Sequence, residues 1–104
     1  MTFDIIYPRD IIRILRSTNG KLIDLRERAM FRESHIEGAV NYPLEEIEKW
    51  ENRLSPRNYY IFYCEHGGSS TQTARKFGRM GYRSGSLIGG YEAYLKWMEK
   101  ERKK

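Results

Sequence analysis

Cys64 is the one cysteine in the chain, and its neighbours prepare it for chemistry. It ends an apolar, aromatic run, Tyr59-Tyr60-Ile61-Phe62-Tyr63, and is followed by Glu65-His66-Gly67-Gly68-Ser69-Ser70, after which Thr71 to Met80 reads as a helix. A sulfur on a glycine-rich turn between strand and helix faces unpaired backbone N–H groups and the positive end of a helix dipole. Both favour a thiolate. The pattern therefore points to a sulfur nucleophile. Free cysteines are often simply buried, but a purely structural cysteine does not account for two glycines and two hydroxyl residues directly after it.

The rest of the chain supplies elements that position this turn. Phe3 to Tyr7 is a short apolar run; Pro8 opens a helix, where its missing N–H is harmless, and Ile11, Ile12 and Leu15 form that helix's apolar stripe. Asn19-Gly20 stops it before a buried strand, Leu22-Ile23-Asp24-Leu25. Arg26 to Glu37 is polar and irregular, and Ala39-Val40-Asn41-Tyr42 is a further short strand ended by Pro43. Leu44, Ile47 and Trp50 mark a second helix, and Ser55-Pro56-Arg57-Asn58 is turn-forming. Beyond the cysteine turn, Ala74, Phe77 and Met80 are expected to face the core, with Gly81 at the helix C-terminus. Ser86-Leu87-Ile88 is the last strand; Gly89-Gly90 then opens a helix with Tyr91, Tyr94, Leu95 and Met98 as its apolar face. Strands separated by helices predict a parallel sheet covered on both sides. Ligands in such sheets bind beyond the carboxyl ends of the strands, which brings Arg26 and Glu27 to the same rim as Cys64. Arg26 stands there either at the site or in an ion pair with Asp24 or a glutamate; the residues alone leave both open.

A chain of 104 residues makes one domain with one core. No apolar run is long enough to span a membrane, and no basic-then-apolar segment resembles a signal peptide. One cysteine with His35 and His66 makes a metal centre or an intrachain disulfide improbable, and a cytoplasmic, reducing setting is expected. The net charge of +5 favours anionic or acidic partners in a general way. The basic tail (Lys96, Lys100, Arg102, Lys103, Lys104) alternates with Glu99 and Glu101, as a solvated helix end does. Nucleic acid and membrane are not expected as partners.

Together these pieces resemble a rhodanese-like domain: Leu22-Ile23-Asp24-Leu25-Arg26-Glu27, the stretch from Ser34-His35-Ile36 to Tyr42-Pro43, the cysteine loop, and Gly81-Tyr82 through Leu87-Ile88-Gly89-Gly90-Tyr91. The loop is most similar to that of short, single-domain thiosulfate sulfurtransferases. The resemblance implies an α/β fold over residues 1–104: a rhodanese-like open parallel sheet with helices on both faces. It also implies a chemistry. The Cys64 thiolate would take the outer sulfur of thiosulfate, or of another persulfide donor, and pass it to cyanide, a small thiol or a thioredoxin-like acceptor. No cofactor is implied. Backbone N–H groups of Glu65, His66, Gly67, Gly68, Ser69 and Ser70, with the two serine hydroxyls, would hold the persulfide anion. Arg26 joins them as a substrate contact. Glu65 is expected to point to solvent, His66 to support the loop, and His35 to serve as a structural hydrogen-bonding residue.

A phosphatase would need an arginine closing the loop; Ser70 stands there, and Arg75 lies more than a helical turn further on. An arsenate-reducing thiol relay would need a second cysteine. A persulfide carrier without turnover, or a protein-binding module, remains the alternative to an enzyme.

Overall fold

The computed structural model describes residues 2–104. Five strands form one sheet: β1 (Asp4–Ile6), β2 (Lys21–Asp24), β3 (Val40–Asn41), β4 (Tyr59–Tyr63) and β5 (Arg83–Leu87), in the order β1-β5-β4-β2-β3. Every neighbouring pair is parallel. β4 takes the centre because it has no polar face to expose, and all five of its residues are buried. Its tyrosines are tolerable there because their hydroxyls reach partners at the margins. Tyr59 donates to Asp4 (2.7 Å), Tyr60 accepts from the Ser55 N–H (2.8 Å), and Tyr63 accepts from the Ile36 N–H (3.1 Å).

Alternation along β4 sorts the core in two. Tyr59, Ile61 and Tyr63 pack with Ile6, Ile11, Leu22, Leu87 and Tyr91, under α1 (Ile11–Thr18) and α5 (Gly90–Arg102). Tyr60 and Phe62 pack with Ile23, Leu25, Trp50, Ala74 and Phe77, under α3 (Ile47–Trp50) and α4 (Gly68–Arg79). The predicted open parallel sheet with helices on both faces is what the chain forms.

Several details differ from expectation. Pro8 opens a 3-10 turn (Pro8–Asp10) before α1, and α3 is one turn flanked by 3-10 turns. The stretch read as irregular contains a short helix, α2 (Arg28–Glu33), with no buried residue and hence no apolar stripe to betray it. Ile12, Met80, Leu95 and Met98, all assigned to apolar faces, are about half exposed. Each sits one step round the helix from a residue that already fills the contact: Ile11, Phe77 and Tyr91 are at most 5 % exposed. Asn19, in the left-handed conformation, caps α1, and Gly81 (φ 93°) follows the end of α4, as the sequence indicates. The basic tail ends α5 with Arg102 and Lys103 paired to Glu99 and Lys104 to Glu101.

These differences fix a stability contrast. Phe77→Ala should cost about 3–5 kcal/mol in denaturant unfolding, since the ring is fully buried between Phe62 and Trp50. Met80→Ala should stay within about 0.5 kcal/mol, as expected of an exposed position.

Candidate active site

The order of strands reverses between β2 and β4: the chain leaves β2 toward β3 on one side and returns to place β4 and β5 on the other. A crevice at the carboxyl ends is expected at such a point. Cys64 follows β4 there, and Arg26 lies just beyond β2. After Tyr63 the chain bends through Glu65 and His66. Gly67 (φ 104°) then turns it into α4, which begins at Gly68, three residues before the expected start at Thr71. Gly68 is a poor helix former and hides this start. The consequence is chemical: Gly68, Ser69 and Ser70 form the first turn, so their N–H groups precede the first intrahelical bond, Thr71 N–H to the Gly67 carbonyl.

The sulfur uses this arrangement. Cys64 Sγ accepts from the N–H groups of Gly67 (3.1 Å) and Ser70 (3.3 Å), and lies 3.5 Å from the Ser70 hydroxyl. Ser70 Oγ is wholly buried, donates to the Gly67 carbonyl (3.2 Å) and shares a hydrogen bond with Ser86 (2.9 Å), whose oxygen also meets Thr71 (3.1 Å). Ser86 was missed in the sequence. Its signal is the segment Ser84-Gly85-Ser86 in a buried strand, too poor in apolar atoms to serve only as core.

What aims the N–H groups inward is α5. Its first turn donates to the backbone carbonyls of the cysteine loop, Tyr91 N–H to Cys64 (2.8 Å) and Glu92 N–H to Glu65 (3.1 Å). Gly90 lets the two segments meet: a Cβ there would lie 2.5 Å from the Cys64 carbonyl oxygen, on a backbone of φ 66°. Gly89-Gly90 therefore does more than turn the chain.

Arg26 is buried. Its Nε and Nη2 bind Asp24 (3.1 and 2.8 Å), Nη2 also reaches the Ser34 carbonyl (2.7 Å), and Nη1 faces Glu65 (3.4 Å). The guanidinium lies 4.2 Å from the Tyr91 ring centroid. Burial works against its charge, but hydrogen bonding and attraction from Asp24 outweigh it and raise its ionisation above the ordinary range. Of the two readings open for Arg26, the structure shows the ion pair; every guanidinium nitrogen has a protein acceptor. Glu65 does not simply point to solvent, as expected. It turns back to Arg26 with its side chain 37 % exposed, because Asp24 leaves one edge of the buried guanidinium free.

A depression of about 280 Å³ opens over Cys64, lined by Arg26, Glu27, Glu65 and Ser69, and by Leu25, Met30, Pro43, Leu44 and Glu45. The last five come from segments that carried no sequence signal. His66 is outside it, exposed, with Nδ1 3.5 Å from Glu92. Nδ1 of His35 bonds the Phe31 carbonyl (2.7 Å), and its ring stacks on Phe31.

Residues 8–96 match the rhodanese-like domain family, and the chain belongs to it. It is similar to the thiosulfate sulfurtransferase GlpE of Coxiella burnetii, 25 % identical over 93 residues, covering 88 % of this chain and 78 % of that protein. It is also similar to the putative sulfur carrier protein YrkF of Bacillus subtilis, 32 % identical over 62 residues, 60 % of this chain and 34 % of that one. The crystal structure of reduced CoADR-RHD from Bacillus anthracis superposes with a TM-score of 0.84 at 26 % identity, over 94 % of this chain and 17 % of the other.

Gly90→Ala should separate the docking of the loop from folding. Strain at positive φ and the contact with Cys64 together should cost about 1–3 kcal/mol, and alkylation of Cys64 by iodoacetamide should change several-fold as the loop shifts. Gly81→Ala has positive φ but open space around it; it should cost about 1 kcal/mol and leave alkylation unchanged.

Proposed function

We propose that the protein is a sulfurtransferase in which Cys64 carries the moving sulfur as a persulfide. In the first half-reaction the thiolate attacks the outer sulfur of thiosulfate; the new S–S bond forms as the old one breaks, and its electron pair leaves with sulfite. In the second, cyanide or a thiol attacks the bound outer sulfur, and the pair of the Cys64–sulfur bond returns to Cys64. With cyanide no proton moves, so no general base is required. The observation that carries the reading is the convergence of the Gly67 and Ser70 N–H groups on Sγ, with those of Gly68 and Ser69 beside them for the outer sulfur. His66 and Arg26 support the loop and its rim. The GlpE relative supports thiosulfate as donor.

The second reading, a carrier loaded by a partner protein, draws on the likeness to a protein named a putative sulfur carrier. In either role a thioredoxin-like protein is a suitable acceptor, and a single free thiol suits the cytoplasm.

Thiosulfate should add the mass of one sulfur atom to the protein, and cyanide should remove it as thiocyanate. Cys64→Ser should take up none while keeping the wild-type unfolding curve. Aryl phosphates should turn over negligibly, because no guanidinium fork closes the loop. Cys64-dependent phosphatase activity would overturn the proposal. Loading by a persulfidated protein but not by thiosulfate would make the protein a carrier.

A further inference from the structure

Three carboxylates, Glu27, Glu45 and Glu65, line the depression into which Cys64 opens. The one cation lining it, Arg26, is buried and already paired with Asp24 and Glu65. The next cation along the chain, Arg28, is held by both oxygens of Glu46 (2.5 and 2.6 Å). Among the described residues neither Glu27 nor Glu45 has a cation at ion-pair distance, and both are exposed. A chain of net charge +5 thus carries negative charge at the mouth of its nucleophile. Met30 and Leu44 form an apolar wall beside it.

Charges a few ångströms from a narrow approach alter the local concentration of charged reactants, strongly at low salt. Thiosulfate, a dianion, meets repulsion here; a thiol with a positive charge close to its sulfur meets attraction. We propose that Glu27, Glu45 and Glu65 make the Cys64 site selective for cationic thiols as sulfur acceptors and slow its loading by small dianions. The acceptor role rests on sulfur transfer through Cys64. The acceptor thiolate attacks the outer sulfur of the Cys64 persulfide, the acceptor–sulfur bond forms, the Cys64–sulfur bond breaks, and its electron pair stays on Cys64. The persulfide proton leaves with the product.

Three thiols on one two-carbon frame test this: cysteamine, 2-mercaptoethanol and 2-mercaptoethanesulfonate, cationic, neutral and anionic in turn. Each discharges the persulfidated protein, wild type or carrying Glu27→Gln and Glu45→Gln together, and intrinsic reactivity cancels in the ratio of the two proteins. The double variant should discharge to cysteamine about five- to ten-fold more slowly, to mercaptoethanesulfonate faster by a similar factor, and to mercaptoethanol equally fast. Its loading by thiosulfate should rise about ten-fold or more, and about 1 M salt should erase all these differences. Equal ratios for the three thiols, or changes of one sign for all, would overturn the proposal. A peptide cysteine between two lysines separates the sources: transfer faster than to cysteamine indicates a protein acceptor, and equal transfer a small aminothiol. Methanethiosulfonate reagents with trimethylammonium, methyl and sulfonate ends read the same charge order on reduced Cys64. If that order holds while Cys64 takes up no sulfur, sulfur transfer fails and the electrostatic selectivity stands. If sulfur moves without a charge order, the reverse is true.

Discussion

The two hydrogen bonds from the start of α5 to the carbonyls of Cys64 and Glu65 are the constraint on which the site depends. A peptide plane is rigid, so a carbonyl fixed outward leaves the following N–H to face the other way. Five bonds along, Gly67 and the first turn of α4 repeat the arrangement, and a shallow ring of N–H groups forms with the sulfur at its centre. The glycines follow from this geometry. Gly67 lies against Gly89, where a Cβ would stand 3.0 Å from the Gly89 nitrogen, and Gly90 lies against the loop carbonyls. Side chains at these positions would push the ring open. The sheet sets the distance between the partners, since β4 and β5 are hydrogen-bonded neighbours whose ends carry the loop and α5.

Electrostatics at the site come from dipoles more than from charges. Arg26 is near enough to pair with Glu65, but Asp24 neutralises it within the fold. Breaking such a buried pair from one side typically costs about 3–5 kcal/mol, which argues for Arg26 as a pillar of the rim. It ties β2 to Ser34 and, through Glu65, to the cysteine loop. Asn41 fixes the same turn by donating to the carbonyls of Asp24 and Arg26 (both 2.9 Å). Burial and the nearby Asp24 also push the Tyr63 phenol well above its ordinary range, so it stays neutral behind the site. The sulfur is thus served by backbone N–H groups, while the charges that remain free, Glu27 and Glu45, sit at the entrance and govern what approaches.

The cysteine loop, the apolar β4 and the glycine pair before α5 were legible because each breaks a local rule that only a particular geometry repays: a thiol beside glycines, a strand with no polar face, a helix opened by Gly-Gly. Half-buried helices were harder. Ile12, Leu95 and Met98 satisfy the helical period as well as their buried neighbours do, and only the position of the sheet decides which side turns inward. α2 has no apolar stripe at all. The partners of Arg26 and Glu65 depend on residues far apart in the chain, 39 positions for that pair, and local pattern is silent about them. The wall of the depression, from Met30 to Glu45, is assembled in the same non-local way.

The central claim is that loop N–H groups hold the sulfur and α5 holds the loop. Amide NMR of the protein before and after loading with one sulfur atom tests it directly. The account predicts that the Gly67, Gly68, Ser69 and Ser70 amide protons shift together on loading and return on cyanide treatment. The amides of Tyr91 and Glu92, committed to the Cys64 and Glu65 carbonyls, should stay in place and exchange slowly with solvent. Shifts centred away from residues 67–70, or Tyr91 and Glu92 amides that exchange freely, would contradict it.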